Sequence, residues 1–474
     1  MAIVRDFQVN NGLEVAVNAN VVGTTTSLDY IANTTGSTIA PSVTFNFTRA
    51  TKTIDSRLTF TRASNATYRD SNGLVAYALD NTPRFNYNSN GVCQGILMEK
   101  GSTNDVPYST NIGNTNHFTA QEGVPGSLGV TLNGGTAPDG SNAATYLYHA
   151  TNNNTYKSVY GFNTININRP YVHSVWVKAN NQPTMYMSQY DTGDNMNTIS
   201  VVYTFASNTF ATSTNGSANC AIIGGPSIEP YKDGWYRISY VYHYTGGPSS
   251  RLLQTKYGLD SLSTTAGTGL FYWGAQHEWN DKLTSFIPTT VGAVTRAFDY
   301  LYCIDDARGK NLTSWFNINQ GTIHCEWNVN YTGSTANSAT ALYSGYPGPY
   351  VFWKSDGDGV NVLTHMFYAD ASTGKGIGIE QFNNGTFVFS QSVGIGVANN
   401  TTIKTTVGYS TNNHSWTVNG TPVLGGTPNQ NTPPVTNRLD LGRSRANWVD
   451  GHIKTFKYWP VKLANTDILN STLI

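Results

Sequence analysis

Short runs in which apolar and polar residues alternate dominate this chain. From Gly234 to Tyr242, Tyr236, Ile238, Tyr240 and Tyr242 fall on one face of an extended segment, with Trp235, Arg237, Ser239 and Val241 on the other. The second set mixes a cation and a hydroxyl with apolar groups, so that face is expected nearer solvent. From Thr322 to Val329, Ile323, Cys325, Trp327 and Val329 make an apolar face, and His324, Glu326 and Asn328 a polar one. Between Tyr171 and Ala179, Val175 and Val177 lie opposite Trp176 and Lys178, while Val172 stands apart. A period of two, rich in β-branched and aromatic residues, predicts half-buried antiparallel strands. Helical periodicity is almost absent.

The turn residues agree. Asn90-Gly91, Asp139-Gly140, Asn215-Gly216, Asp233-Gly234, Asn384-Gly385 and Asn419-Gly420 are hairpin-type pairs, because these residues tolerate the positive φ of a tight reversal. Such punctuation predicts an all-β protein of sandwiches or barrels, and no short-period repeat points to a propeller or solenoid. The chain divides into four parts. Residues 1–47 are polar and weakly patterned, with a hairpin-like Asn10-Asn11-Gly12 and too little apolar mass for a core of their own. Residues 48–110 form a compact connecting region, 111–299 a first sandwich and 300–474 a second.

Composition narrows the partners. Charged residues are only 12% of the 474, aromatics also 12%, and there are 46 Gly and 29 Tyr. Soluble domains carry about 25% charged residues, so amides and hydroxyls must hydrate this surface. Low charge with many aromatics is the opposite of a disordered composition. The 28 basic and 28 acidic residues cancel, and with no basic run a nucleic-acid partner is not expected. No apolar run approaches the roughly 18 residues of a membrane span. The start, Met1-Ala2-Ile3-Val4-Arg5-Asp6-Phe7, lacks the basic and apolar regions of a signal peptide, so none is expected to be removed. Cys93, Cys220, Cys303 and Cys325 show no metal-type spacing and are expected as buried free thiols.

Three ordered stretches are more specific. The first is Leu58-Thr59-Phe60-Thr61-Arg62-Ala63-Ser64, followed by Pro83-Arg84-Phe85, Gly95-Ile96-Leu97-Met98-Glu99 and Thr103-Asn104. The second is Trp273-Gly274-Ala275-Gln276-His277-Glu278, leading to Ser285-Phe286-Ile287-Pro288-Thr289 and Thr295-Arg296-Ala297-Phe298-Asp299. The third runs from Gly451-His452-Ile453 through Tyr458-Trp459-Pro460-Val461-Lys462-Leu463. The first resembles a module widespread in phage and prophage structural proteins. The second resembles the end of the carbohydrate-binding-like jelly roll that follows it, and the third the closing strand and short helix of a concanavalin-like (laminin-G-like) sandwich. Cys93, Met98 and Phe286 stand where the family commonly has other residues. From Leu58 to the C-terminus, the resemblance implies two antiparallel β-sandwiches, a jelly roll and a concanavalin-like one; residues 1–47 lie outside it and, unable to bury enough surface alone, are expected to be an extended anchor segment. Arg62 and Arg84 are expected to pair with carboxylates such as Glu99 or Asp70. On the Trp273 strand, one aromatic side is expected buried and the other exposed or at a subunit contact.

The resemblance further implies a phage virion appendage, a fibre or spike subunit assembled in the bacterial cytoplasm. Residues 1–47 would anchor it to other virion proteins, the subunit would be a homotrimer, and its sandwiches would meet host-surface glycans. Catalysis is not expected. A glycosidase needs two carboxylates about 5–9.5 Å apart, and Glu326, Glu380, Asp356, Asp358 and Asp370 stand isolated, with no E-x-D-x-E run. Asp356-Gly357-Asp358-Gly359 would suit either oxygen ligands for calcium or a solvated turn; the turn is the expectation, with no metal and no cofactor. Sugars stack on aromatic faces while amides and carboxylates bond their hydroxyls. The candidate glycan-binding residues are Trp353 beside Asp356 and Asp358, and Trp448 beside Asn447 and Asp450. The alternative is that these tryptophans are core or interface residues. Two other functions stay open, a purely structural decoration or neck protein and a polysaccharide-degrading tailspike.

Overall fold

The computed structural model describes residues 39–118, 120–122, 126–152, 157–193, 198–215, 219–245, 248–260, 265–305, 312–329, 350–355, 362–370, 374–394, 401–422, 424–426, 433, 436–444 and 447–473. Their regular structure is mostly antiparallel strand, with one α-helix at Asn465–Leu473. In the Asn-Gly and Asp-Gly pairs that are described in full, the glycine takes a positive φ each time, and the preceding residue does so at Asp233, Asn384 and Asn419. Asn384 and Gly385, for example, take φ of 47° and 72° between the strands Gly374–Asn383 and Thr386–Gly394.

Two sheets form the jelly roll. One runs, in spatial order, Cys220–Pro230, Trp235–Tyr244, Pro170–Asn180, Gly269–Glu278, Ala144–His149 and Leu128–Gly135. The other runs Thr209–Asn215, Thr198–Thr204, Thr184–Asp191, Ser250–Leu259, Lys157–Asn166 and Ala120–Glu122. Between them lie Val175, Val177, Met185, Met187, Ile199, Ile238, Tyr240, Tyr242, Tyr257 and Leu270, all essentially inaccessible.

The second sandwich is not confined to the C-terminal part of the chain. Its first sheet centres on Gly321–Val329 and Gly451–Trp459, and Cys93–Met98 and Val43–Asn46 both pair with the latter strand. Phe85–Tyr87 extends this sheet through Cys93–Met98. The facing sheet takes in Thr59–Thr61 through its pairing with Tyr300–Ile304. Val43, Phe45, Phe60, Ile96 and Met98 therefore share one core with Trp327, Val407, Trp416 and Phe456. The division at residues 47 and 110 gives way to a sandwich built from two separated stretches of chain. The jelly roll is an insertion between them, entered through Ser102–Asn104 and left through Val294–Arg296, which pair with each other.

This arrangement overturns two burial expectations. The Trp235, Arg237, Ser239 and Val241 face is buried, as are both sides of the Trp273 strand. Val75, from the 48–110 stretch, and Phe286 pack with Trp176, Trp235 and Trp273 into a second core outside the jelly roll, so what alternation marked as a solvent face is an internal seam. Gly274 makes it possible. It has a φ of 69°, and a Cβ there would stand 2.5 Å from Trp176 Cε3.

The motif arginines fasten the seam. Asp299 accepts from Arg62 Nη1 at 3.1 Å, from Arg84 and from the Glu99 backbone N–H at 2.9 Å. Glu99 in turn pairs with Arg84 at 2.8 Å and Arg296 at 3.3 Å, and accepts from Ser285 N and Oγ, each at 2.7 Å. Burial alone would raise the Glu99 pKa, but Arg296, Arg84 and the Ser285 donors outweigh it and bring it to about 2. The expected Arg84–Glu99 pair is thus present. Asp70 instead accepts the backbone N–H groups of Asn72 and Leu74 in its own turn, at 2.9 Å each. Cys220, Cys303 and Cys325 are buried free thiols, while Cys93 is only partly buried.

Candidate functional site

Trp353 lies on Tyr350–Ser355, in register with Asp440, and Asn447 and Trp448 pair with Arg443–Ser444 in a short hairpin. Asp356 and Asp358 lie outside the described residues. Asp450 turns inward, accepting from the Lys100 backbone N–H at 2.7 Å and pairing with Lys282 Nζ at 2.9 Å. Both of its oxygens serve the seam and are not offered to a ligand.

The face best suited to a ligand lies on the jelly roll. In Lys157–Asn166, alternate residues Val159, Asn163 and Ile165 point inward, which sends Tyr160, Phe162 and Thr164 outward. Strand pairing aligns these with residues from distant parts of the chain. One row across the sheet reads Tyr160, Lys256, Ser188, Ser200, Ser213; the next reads Phe162, Gln254, Tyr190, Thr198, Asn215. Tyr186 stands on the same side, its hydroxyl 3.0 Å from Ser188 Oγ.

Lys256 organises the patch. Its Nζ lies 4.8 Å from the Tyr190 ring centroid and 5.7 Å from that of Tyr160, and the residue is only 6% exposed. Cation–π contact with two rings holds both in place and leaves apolar ring area facing out. Phe162 meets Tyr160 edge-on at 5.8 Å and is 41% exposed, and Leu252 beside it is exposed as well. Aromatic faces, the Gln254 amide and the Ser200 and Ser213 hydroxyls thus share one sheet surface, with Lys256 and Ser188 buried among them. Such a surface can stack the C–H face of a sugar ring and bond its hydroxyls in the same plane. The signal was present in the alternation of the Lys157 strand, but the rows arise only from long-range register.

A different constellation lies inside the jelly roll. Asp105 meets His277 Nδ1 at 2.7 Å, and His277 Nε2 meets the Tyr242 hydroxyl at 2.5 Å. Burial and the neighbouring Tyr240, Tyr244 and Asp105 push the Tyr242 hydroxyl well above its usual range, so it stays protonated and donates to Nε2. With Tyr242 fully buried, stacked on the Tyr171 ring and tilted against that of His277, this chain of bonds satisfies polar groups inside a core. Among the described residues, no cluster of His, Cys, Asp and Glu is suited to a metal ion.

No protein-family model and no curated protein matches the chain. Among solved structures, mouse laminin α1 chain domains LG4-5 align with a TM-score of 0.21 at 6% identity, covering 71% of this chain and 88% of theirs. The LG1-3 region of the laminin α2 chain gives 0.22 at 9%, covering 62% and 63%. Trypanosoma rangeli sialidase with the inhibitor DANA gives 0.27 at 8%, covering 70% of this chain and 60% of the sialidase. With likenesses this loose, the assignment as two antiparallel β-sandwiches rests on the strand pairing itself.

Proposed function

We propose that this chain is a non-enzymatic phage virion appendage subunit that holds host-surface glycans on the exposed sheet face of its jelly roll. The observation that carries the binding half is the row Tyr160–Lys256–Ser188 with Tyr190 beside it, aromatic faces fixed by one buried cation. The virion half rests on the three ordered sequence motifs. Residues 1–38 lie outside the described structure, and their proposed role is to attach the subunit to other virion proteins. A homotrimer would multiply weak single-face affinity, since linked sites raise avidity by about 10²–10⁴ without new contacts. Trp353 and Trp448 remain candidates for a second contact.

The test is adsorption of the purified chain to host cells and to extracted surface polysaccharide. Wild-type protein is expected to sediment with both, and the double variant Tyr160→Ala/Tyr190→Ala, shown to be folded by a cooperative thermal transition, to lose about tenfold in affinity. New reducing ends on prolonged incubation would instead indicate a depolymerase. Equal adsorption by the double variant would remove the sheet face from the account.

A further inference from the structure

The opposite sheet of the jelly roll carries a second aromatic surface. Tyr146 and Tyr148 on Ala144–His149 alternate with the buried Leu147 and His149, and Phe271 on Gly269–Glu278 alternates with the buried Leu270 and Tyr272. All three rings therefore leave the core on the outer side. Near the seam that side is covered, with Trp176, Trp235 and Trp273 buried there. Phe271 packs against this second core while only partly buried, and Tyr146 and Tyr148, also partly buried, continue outward from it. Strand register gives one row across the sheet as Trp235, Lys178, Phe271, Tyr146, Thr131, and another as Asn180, Gly269, Tyr148, Gly129.

Glycines let the rings lie down. A Cβ on Gly129 would run into the face of the Tyr148 ring, meeting Cζ and both Cε atoms together. One on Gly135 would stand 2.9 Å from Phe271 Cε1. With only backbone beneath them, both side chains lie over the strand Leu128–Gly135 instead of standing away from the sheet. Tyr146 joins the two. Its ring centroid is 5.2 Å from that of Tyr148 with the planes 15° apart, and 4.9 Å from that of Phe271 with the planes 36° apart. Its hydroxyl donates to Gly267 O at 2.8 Å, which holds the ring in place. At the Phe271 end of this pavement a groove of about 370 Å³ opens between Thr136, Lys178, Lys232, Asp233 and Trp235.

We infer that the pavement binds one extended strand of a linear, equatorially linked glycan, whose pyranose rings present flat C–H faces. The ring spacing is comparable with the advance of one sugar unit along such a strand. Thr131, Asn180 and Lys178 border the rings in the two rows and supply hydroxyl, amide and ammonium groups for the sugar hydroxyls. Three partly covered rings offer far less apolar area than the roughly 800 Å² per partner of a stable protein interface, which favours a stacked ligand over a second copy of the chain. The surface lies on the other side of the sandwich from Tyr160 and Lys256, so the inference does not rest on that face.

Calorimetric titration of the intact chain with cellohexaose, maltohexaose and glucose tests this. Cellohexaose is a flat ribbon, whereas the α-linked maltohexaose coils. Cellohexaose is expected to bind at least about tenfold more tightly than either of the others, and Tyr148→Ala to weaken it about tenfold. Gly129→Ala removes no ring. It should lift Tyr148 off the sheet and weaken cellohexaose severalfold in a chain that still unfolds cooperatively. In Tyr160→Ala/Tyr190→Ala the response to cellohexaose should persist. The inference is overturned if cellohexaose fails to saturate at about 10 mM, if maltohexaose binds equally well, or if folded Gly129→Ala binds as tightly as wild type. Loss of cellohexaose in the double variant but not in Tyr148→Ala would also overturn it, while leaving the proposed function standing.

Discussion

At the scale of residues, the decisive contacts are ionic and buried. Asp299 holds Arg62 and Arg84 at full burial, so neither guanidinium can fall back on water if the carboxylate is lost. Breaking a buried pair by removing one partner costs about 3–5 kcal/mol. Asp299→Asn should lower unfolding free energy by that amount in urea titration, and a loss under about 1 kcal/mol would show that the cluster is not the fastener described. Glu99 adds a pH dependence. Its folded pKa of about 2 lies below the ordinary 4.5, so its contribution is fully present above pH 4.5 and is lost as pH falls toward 2. The shift corresponds to about 3 kcal/mol. In Glu99→Gln the part of the acid destabilisation between those pH values that belongs to this group should vanish, as followed by thermal unfolding across pH.

At the scale of elements, alternation and turn chemistry made the strands legible in the sequence. Trp327 and Val329 faced the core as their spacing indicated, and Asn384-Gly385 reversed the chain. Burial of the opposite faces was not legible. A period of two identifies one covered face, and the cover for Trp235 and Arg237 comes from Val75, Leu283 and Phe286, which are distant in sequence. The same limit hid the candidate site. Trp353 and Trp448 drew attention because carboxylates follow them closely in sequence, whereas Tyr160, Lys256 and Ser188 become neighbours only through register. Gly274 is the element-scale test of the seam. Gly274→Ala drives a Cβ into the Trp176 ring at a positive φ, and about 1–3 kcal/mol of destabilisation should follow. Near-UV circular dichroism of the tryptophans should change with it; wild-type stability and spectrum would contradict the packing.

At the scale of the whole molecule, one sandwich is interrupted by another. The C-terminal sandwich needs Val43–Asn46 and Cys93–Met98 on its Gly451–Trp459 strand, with Phe45, Ile96 and Met98 in its core. A fragment of residues 300–474 should therefore show no cooperative thermal transition, whereas residues 39–474 should. A sharp transition in the short fragment would mean that the early strands are dispensable. Insertion also suits the proposed role, since it projects the jelly roll from a base closed by both ends of the described chain. The most direct measurement of the central claim is calorimetric titration of the intact chain with an oligosaccharide from the host surface, in wild type and in Tyr160→Ala/Tyr190→Ala. The account predicts saturable binding to the wild type and about tenfold weaker binding to a double variant that still unfolds cooperatively. Equal affinity in both, or no binding to the wild type at millimolar oligosaccharide, would contradict it.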